Sequence, residues 1–117
     1  MTQEQIKSSN KTIAESPFAS EGVKRRLSHF VDVGNEIGLN KYLSILKYHS
    51  SWDWLMPVVE KIESGLFYAE IKEKGCVIAG YRKYASVMFV RKEATKTKLQ
   101  STFDAVVDFI TWYNQNK

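Results

Sequence analysis

A chain of 117 residues has room for one modest hydrophobic core and not for two. Its 44% apolar and 26% charged residues are the balance of a globular protein, and no apolar run approaches the ~18 residues a bilayer-spanning helix needs. The net charge of +4 is mild, so its distribution says more than its total.

Residues 2–15 are polar, with Ile6 and Ile13 as the large apolar side chains, and they read as either a loose helix or a flexible arm. The run "MTQEQIKSSNKTIAES" has no apolar centre of the signal-peptide kind, and a cytoplasmic location is expected. "SPFAS" then interrupts, because proline disfavours helix at the residue before it. From Ser20, which can cap a helix, Val23, Leu27 and Phe30 or Val31 recur at helical spacing as far as Gly34. Lys24, Arg25 and Arg26 make a short basic block on that helix. In "NEIGLNKYLSILKYHSS", Tyr42, Leu43, Ile45 and Leu46 fit a short helix starting near Asn40. Leu46–Lys47–Tyr48 fits an extended segment equally well, and periodicity over so few residues does not choose.

"SSWDWLMPVVEKIES" predicts a helix that starts no earlier than Trp52. Ser50, Ser51 or Asp53 supplies its cap. With Asp53 in that role, Pro57 falls at the fourth helical position, where its missing N–H costs little. Leu55, Val58 or Val59, and Ile62 face the core, and Ser64–Gly65 ends the helix. Beyond Gly65 the period changes to two: Phe67, Ala69 and Ile71 alternate with Tyr68, Glu70 and Lys72. Lys74–Gly75 turns the chain, Cys76 to Ala79 returns, and after "GYRKY" the run "ASVMFVRK" is a third strand. A last helix carries Leu99, Phe103, Val106, Ile110 and Tyr113, its stripe widened by Ala105, Phe109 and Trp112. The expected fold is α+β: a small three-stranded antiparallel sheet packed by two helices, in the order helix-strand-strand-strand-helix over 41–117. A helical N-terminal region or arm over 1–40 completes one compact domain.

Little in this chain points to catalysis. His29 and His49 have no metal-ligand spacing, and a single cysteine argues against structural zinc. That single Cys76 also excludes an intramolecular disulfide, in agreement with a reducing compartment. It falls in an apolar strand, where a small core thiol is the plain reading and a nucleophile the exceptional one. The phosphate-loop, dinucleotide and nucleophile-elbow patterns do not occur. The carboxylates of "EKIE" and "EIKEK" alternate with lysines as solvated faces do. The expectation is a protein that is not an enzyme and needs neither cofactor nor metal.

Two groups of residues are candidates for binding. Residues 80–98 hold Arg82, Lys83, Arg91, Lys92, Lys96 and Lys98 against Glu93, interleaved with Tyr81, Tyr84 and Phe89. Cations among aromatics can neutralise phosphates and stack bases, or face an acidic protein. Solvated strand ends with Phe89 in the core are the simpler account. Trp52 and Trp54, two apart, cannot share a helix face, so one packs and the other is a candidate interface anchor. Trp54 is assigned to partner binding together with Lys24, Arg25 and Arg26.

"KYHSSWDWLMPVVEKIES", the strands after it and "FDAVVDFITWYNQ" resemble short proteins encoded by phages and prophages of Bacteroidetes-type bacteria. Their C-terminal layout is similar to the small phage ABA sandwich domain. The likeness covers about residues 43–117, and "NKTIAE" resembles the start of such proteins, where a phenylalanine and Met-Gly usually follow. Here "SPF" follows instead, and residues 16–40 depart from the pattern. The family offers no established catalytic or binding residues to transfer. The resemblance implies a phage or prophage accessory protein that acts by binding, in the cytoplasm of an infected or lysogenic host. The leading expectation is an inhibitor of a host defence nuclease of the anti-CRISPR type, its partner a CRISPR effector or other nuclease. One alternative is an accessory protein binding RNA or DNA through the basic strand ends. Another is a homo-oligomeric structural adaptor joined through Trp52 or Trp54. No membrane partner is expected.

Overall fold

The computed structural model describes residues 2–73, 75–92 and 97–116, excluding the side chain of Lys92. Four helices come first: α1 (Gln3–Ala14), α2 (Glu21–Asp32), α3 (Glu36–Ile45) and α4 (Trp52–Glu63). Strands β1 (Phe67–Lys72), β2 (Gly75–Gly80) and β3 (Met88–Lys92) follow, with a 3-10 turn at Arg82–Tyr84 between the last two, and α5 (Lys98–Asn116) closes the order. The α+β class, the antiparallel meander and the two helices against it agree with the reading of the sequence.

Of the two readings of residues 2–15, the helix is the one adopted, and it is packed. A reciprocal capping box starts α1: the Gln5 N–H donates to Thr2 Oγ1 and the Thr2 N–H to Gln5 Oε1. Ile13 and Ala14 are fully buried, and α1 lies against α3 and α5. The Val23 N–H donates to the Ser20 hydroxyl, so Ser20 caps α2 as expected. Helix α3 starts earlier than Asn40, at Glu36, because Asn35 caps it by accepting from the Gly38 N–H at 2.9 Å. Its first turn is exposed, Ile37 included, and an exposed turn leaves no apolar period to read. Both readings of the next residues hold in succession, since the helix ends at Ile45 and Leu46 is extended. Ser51 occupies the cap position of α4 without a side-chain hydrogen bond, which makes Pro57 the sixth helical residue and not the fourth.

The sheet order is β1-β2-β3. Pairs Phe67↔Gly80, Ala69↔Ile78 and Ile71↔Cys76, continued by Ile78↔Phe89 and Cys76↔Arg91, place these residues on one face. Helix α5 lies across β2 and β3 on that face, and α4 flanks β1. Phe103, Val106, Phe109 and Ile110 of α5 are fully buried there, each worth roughly 1.5–3 kcal/mol of burial. The Phe67 ring meets Phe109 edge-on at 4.6 Å. The opposite face carries Tyr68, Glu70 and Lys72 of β1, Val77 and Ala79 of β2, and Met88 and Val90 of β3. The third strand is shorter than "ASVMFVRK", because Ala85 and Ser86 still belong to the turn.

Candidate functional site

Gly22 and Val23 of α2 and Trp54 of α4, far apart in the chain, border one cleft of about 450 Å³. Its walls are aromatic: Phe18, Tyr42, Tyr48 and Trp54, with Pro57 beside them. Trp54 stands edge-on to Tyr48 at 5.6 Å and is 36% exposed. The Arg26 guanidinium sits 6.0 Å from the centre of the Tyr42 ring, a cation–π arrangement. Lys61 is tied down at the edge, its Nζ donating to the Ala19 carbonyl at 2.9 Å, and outside the cleft Lys24 Nζ donates to the Pro17 carbonyl at 3.2 Å. Arg25 is exposed on α2, and Asp53 contributes one carboxylate from the first turn of α4.

Burial sets the ionisation of the two tyrosines. The Tyr48 hydroxyl is pushed up to about 12 by burial, with Tyr42 adding to the shift. Burial also raises Tyr42, against the pull of Arg26. Both remain neutral hydroxyls at physiological pH. The cleft therefore offers an apolar aromatic floor with Lys61 and Asp53 in its lining and Arg26 beside Tyr42. Such a site suits an aromatic or apolar anchor that carries an acidic neighbour. Trp54 and Arg26 are thus brought to the same cleft, whereas Lys24 lines a separate hollow with Leu27 and Val31, and Arg25 is exposed on α2 without lining either. The sequence reading missed Phe18, Tyr42 and Tyr48, whose spacing looks like ordinary core.

The second candidate group is divided by the sheet. Tyr84 turns to the helix side, where it stacks on Phe67 at 4.9 Å and meets Trp112 edge-on. Arg91 faces the same side and grips Asp108 of α5 with both nitrogens, Nε–Oδ2 at 2.7 Å and Nη2–Oδ1 at 3.1 Å. That fork-to-fork pair fixes β3 to α5 and engages the charge that phosphate binding would need. Tyr81 goes to the other side and touches Tyr68 at 4.9 Å between ring centres. Arg82 and Lys83 are exposed at the turn, Arg82 with a positive φ of 52° and Lys83 Nζ 5.0 Å from the Tyr84 ring centre. The structure thus turns Tyr81 to the open side, keeps Lys83 beside Tyr84 and holds Arg91 on the helix side. The side chain of Lys92, with Glu93 and Lys96, lies outside the described residues.

A more polar cleft of about 700 Å³ runs between α1 and α5, lined by Glu4, Ser8, Arg91, Asp104 and Asp108 among others. Within it Asp108 holds Arg91, and Asp104 Oδ1 accepts from Gln100 Nε2 at 3.0 Å. Among the described residues no cluster of three His, Cys, Asp or Glu could hold a metal ion. Cys76 is buried, and burial pushes its thiol up to about 11, the opposite of what a nucleophile needs. No helix of the described residues is long and apolar enough to cross a membrane. No protein-family model matches the chain, and neither curated proteins nor solved structures provide a match.

Proposed function

We propose that this chain is a non-catalytic binding protein that grips an acidic protein surface through the cleft between α2 and α4. One observation carries the reading: the partly exposed Trp54 stands at an aromatic cleft whose Tyr42 wall carries the Arg26 guanidinium of the basic α2 block. Exposed tryptophan and arginine are the side chains most often responsible for binding energy at interfaces, and here a pocket stands beside them. Inhibition of a host defence nuclease, of the anti-CRISPR type, is the form of this activity that the phage and prophage resemblance implies. Nucleases hold their catalytic metal ions with carboxylates, so such a target presents an acidic face to the exposed Arg25 and Arg26 of α2.

Nucleic-acid binding through the strand ends has less support, because Asp108 engages Arg91 and Phe67 engages Tyr84. Self-association through the tryptophans also has less, since Trp52 is packed against the core.

The test adds the purified chain to cleavage reactions of RNA-guided nucleases of several types. The wild type slows at least one of them, while Trp54→Ala and the double variant Arg25→Glu, Arg26→Glu are about tenfold weaker or more. Undisturbed cleavage in every reaction would sink the nuclease reading. Full potency of both variants would remove the cleft as the site.

A further inference from the structure

The geometry points to a second interaction surface: the open face of the sheet, which takes one amphipathic helix of a protein partner, acidic at the end that meets Arg82. An antiparallel sheet with one solvated face normally carries polar residues there. On β2 and β3 the outward positions are instead Val77, Ala79, Met88 and Val90. Met88 is 60% exposed, Val90 43% and Tyr81 51%. Tyr68 and Tyr81, in ring contact, close one end of this strip. The sheet packs against α4 and α5 through its other face; on the strip Ala79 is buried and Val77 half-buried, while Met88, Val90 and Tyr81 are left exposed.

Size and charge select the occupant. Strands of five or six residues at ~3.3 Å each, three abreast at ~4.8 Å, make a plateau of about 10–14 by 17–20 Å. One helix of about three turns, 10–12 Å across, fits that plateau. A second copy of the chain would bury roughly 300 Å² per protomer on the sheet face, against about 800 Å² per partner at a stable interface. Single-stranded nucleic acid would find stacking rings only at the tyrosine end, and apolar side chains where the backbone phosphates must run. The charges on and beside the plateau are unequal. Glu70 and Lys72 on β1 pair with each other at 3.5 Å, and Lys83 lies over Tyr84, whereas Arg82 stands exposed at the turn. An incoming helix with apolar residues at i, i+3, i+4 and i+7 and Asp or Glu at one end answers both features.

The experiment selects from a displayed library of random peptides about three to four turns long, with the full chain as bait. The expected winners share that helical period and acidic end, and bind about tenfold or more weakly to Met88→Glu and to Val90→Glu. Both positions are exposed, and circular dichroism of each variant checks that the fold persists. Binding should also weaken in Arg82→Glu. Winners without acidic residues, winners indifferent to all three substitutions, or no winners at all would overturn the proposal. Two further measurements can do the same. One is a dimer in sedimentation equilibrium that Met88→Glu dissolves. The other is salt-sensitive binding of single-stranded RNA that Tyr68→Ala abolishes. Because these variants leave the α2–α4 cleft untouched, failure here is distinguishable from failure of the nuclease reading.

Discussion

The side-chain amide of Asn10 in α1 donates to the carbonyl oxygen of Leu46 at 3.0 Å, at the point where α3 has ended. The same nitrogen donates to the Leu43 carbonyl at 2.9 Å, so one buried side chain satisfies two acceptors at a helix C-terminus. Asn10→Ala leaves both carbonyls without that partner, at about 1–3 kcal/mol for each buried group. We expect a loss of about 2–4 kcal/mol in urea unfolding. Asn10→Asp should cost at least as much, since an ionised carboxylate keeps the shape but donates nothing. A loss under about 0.5 kcal/mol would show that water replaces the amide.

Pro57 stands at the sixth residue of α4, where an N–H would otherwise reach the Asp53 carbonyl. It also lines the aromatic cleft. Pro57→Ala should therefore raise stability by about 1–2 kcal/mol, the helix gain less the entropy returned to the unfolded chain. Partner binding should fall at the same time. Thermal unfolding and the nuclease assay read the two effects separately. A variant that gains stability and keeps full potency would mean the proline shapes nothing in the site.

At Gly80 a Cβ would come within 2.5 Å of the Tyr84 Cβ and closer still to the Tyr84 carbonyl oxygen. The backbone of the 82–84 turn cannot retreat without undoing the stack of Tyr84 on Phe67 and its edge contact with Trp112. Gly80→Ala should cost about 1–3 kcal/mol by overpacking. The near-ultraviolet dichroism of Trp112 should change with it. An unchanged spectrum with full stability would contradict this tight turn.

Cys76 keeps its proton to about 11, against an ordinary 9.0; burial is the main cause, the Thr102 hydroxyl opposes it and Glu63 adds to it. The folded state thus holds the proton more tightly than the unfolded one. This contribution to stability is complete below pH 9 and lost as the pH rises through 11. Tyr48 repeats the pattern from 10.0 to about 12. Urea midpoints should fall across that alkaline range, and Cys76→Ala should flatten the earlier part of the fall. At neutral pH a thiol reagent should label the native chain far more slowly than the unfolded one. Rapid native labelling would contradict both the burial and the raised pKa.

Periodicity carried the reading of the fold where one face is buried. The alternation of Phe67, Ala69 and Ile71, and the stripe of Phe103, Val106 and Ile110, name their elements because burial selects the apolar positions. The start of α3 escaped that logic, since its first turn is exposed and only Asn35 marks it. The candidate site was half legible. Arg26 and Trp54 stand out by residue type alone, but nothing local says that Tyr42 and Tyr48 join them.

Charge, residue types and period are local properties, and from them the sequence by itself determined the α+β class, the meander and the helices that flank it. Tertiary structure alone decided that Arg91 and Tyr84 turn inward while Tyr81 turns outward, and that α2 and α4 converge on one cleft. It also decided that Met88 and Val90 are left uncovered. The alternation of a strand says which residues share a face. Which face receives the helices follows from how distant segments pack, and packing is a property of the whole chain.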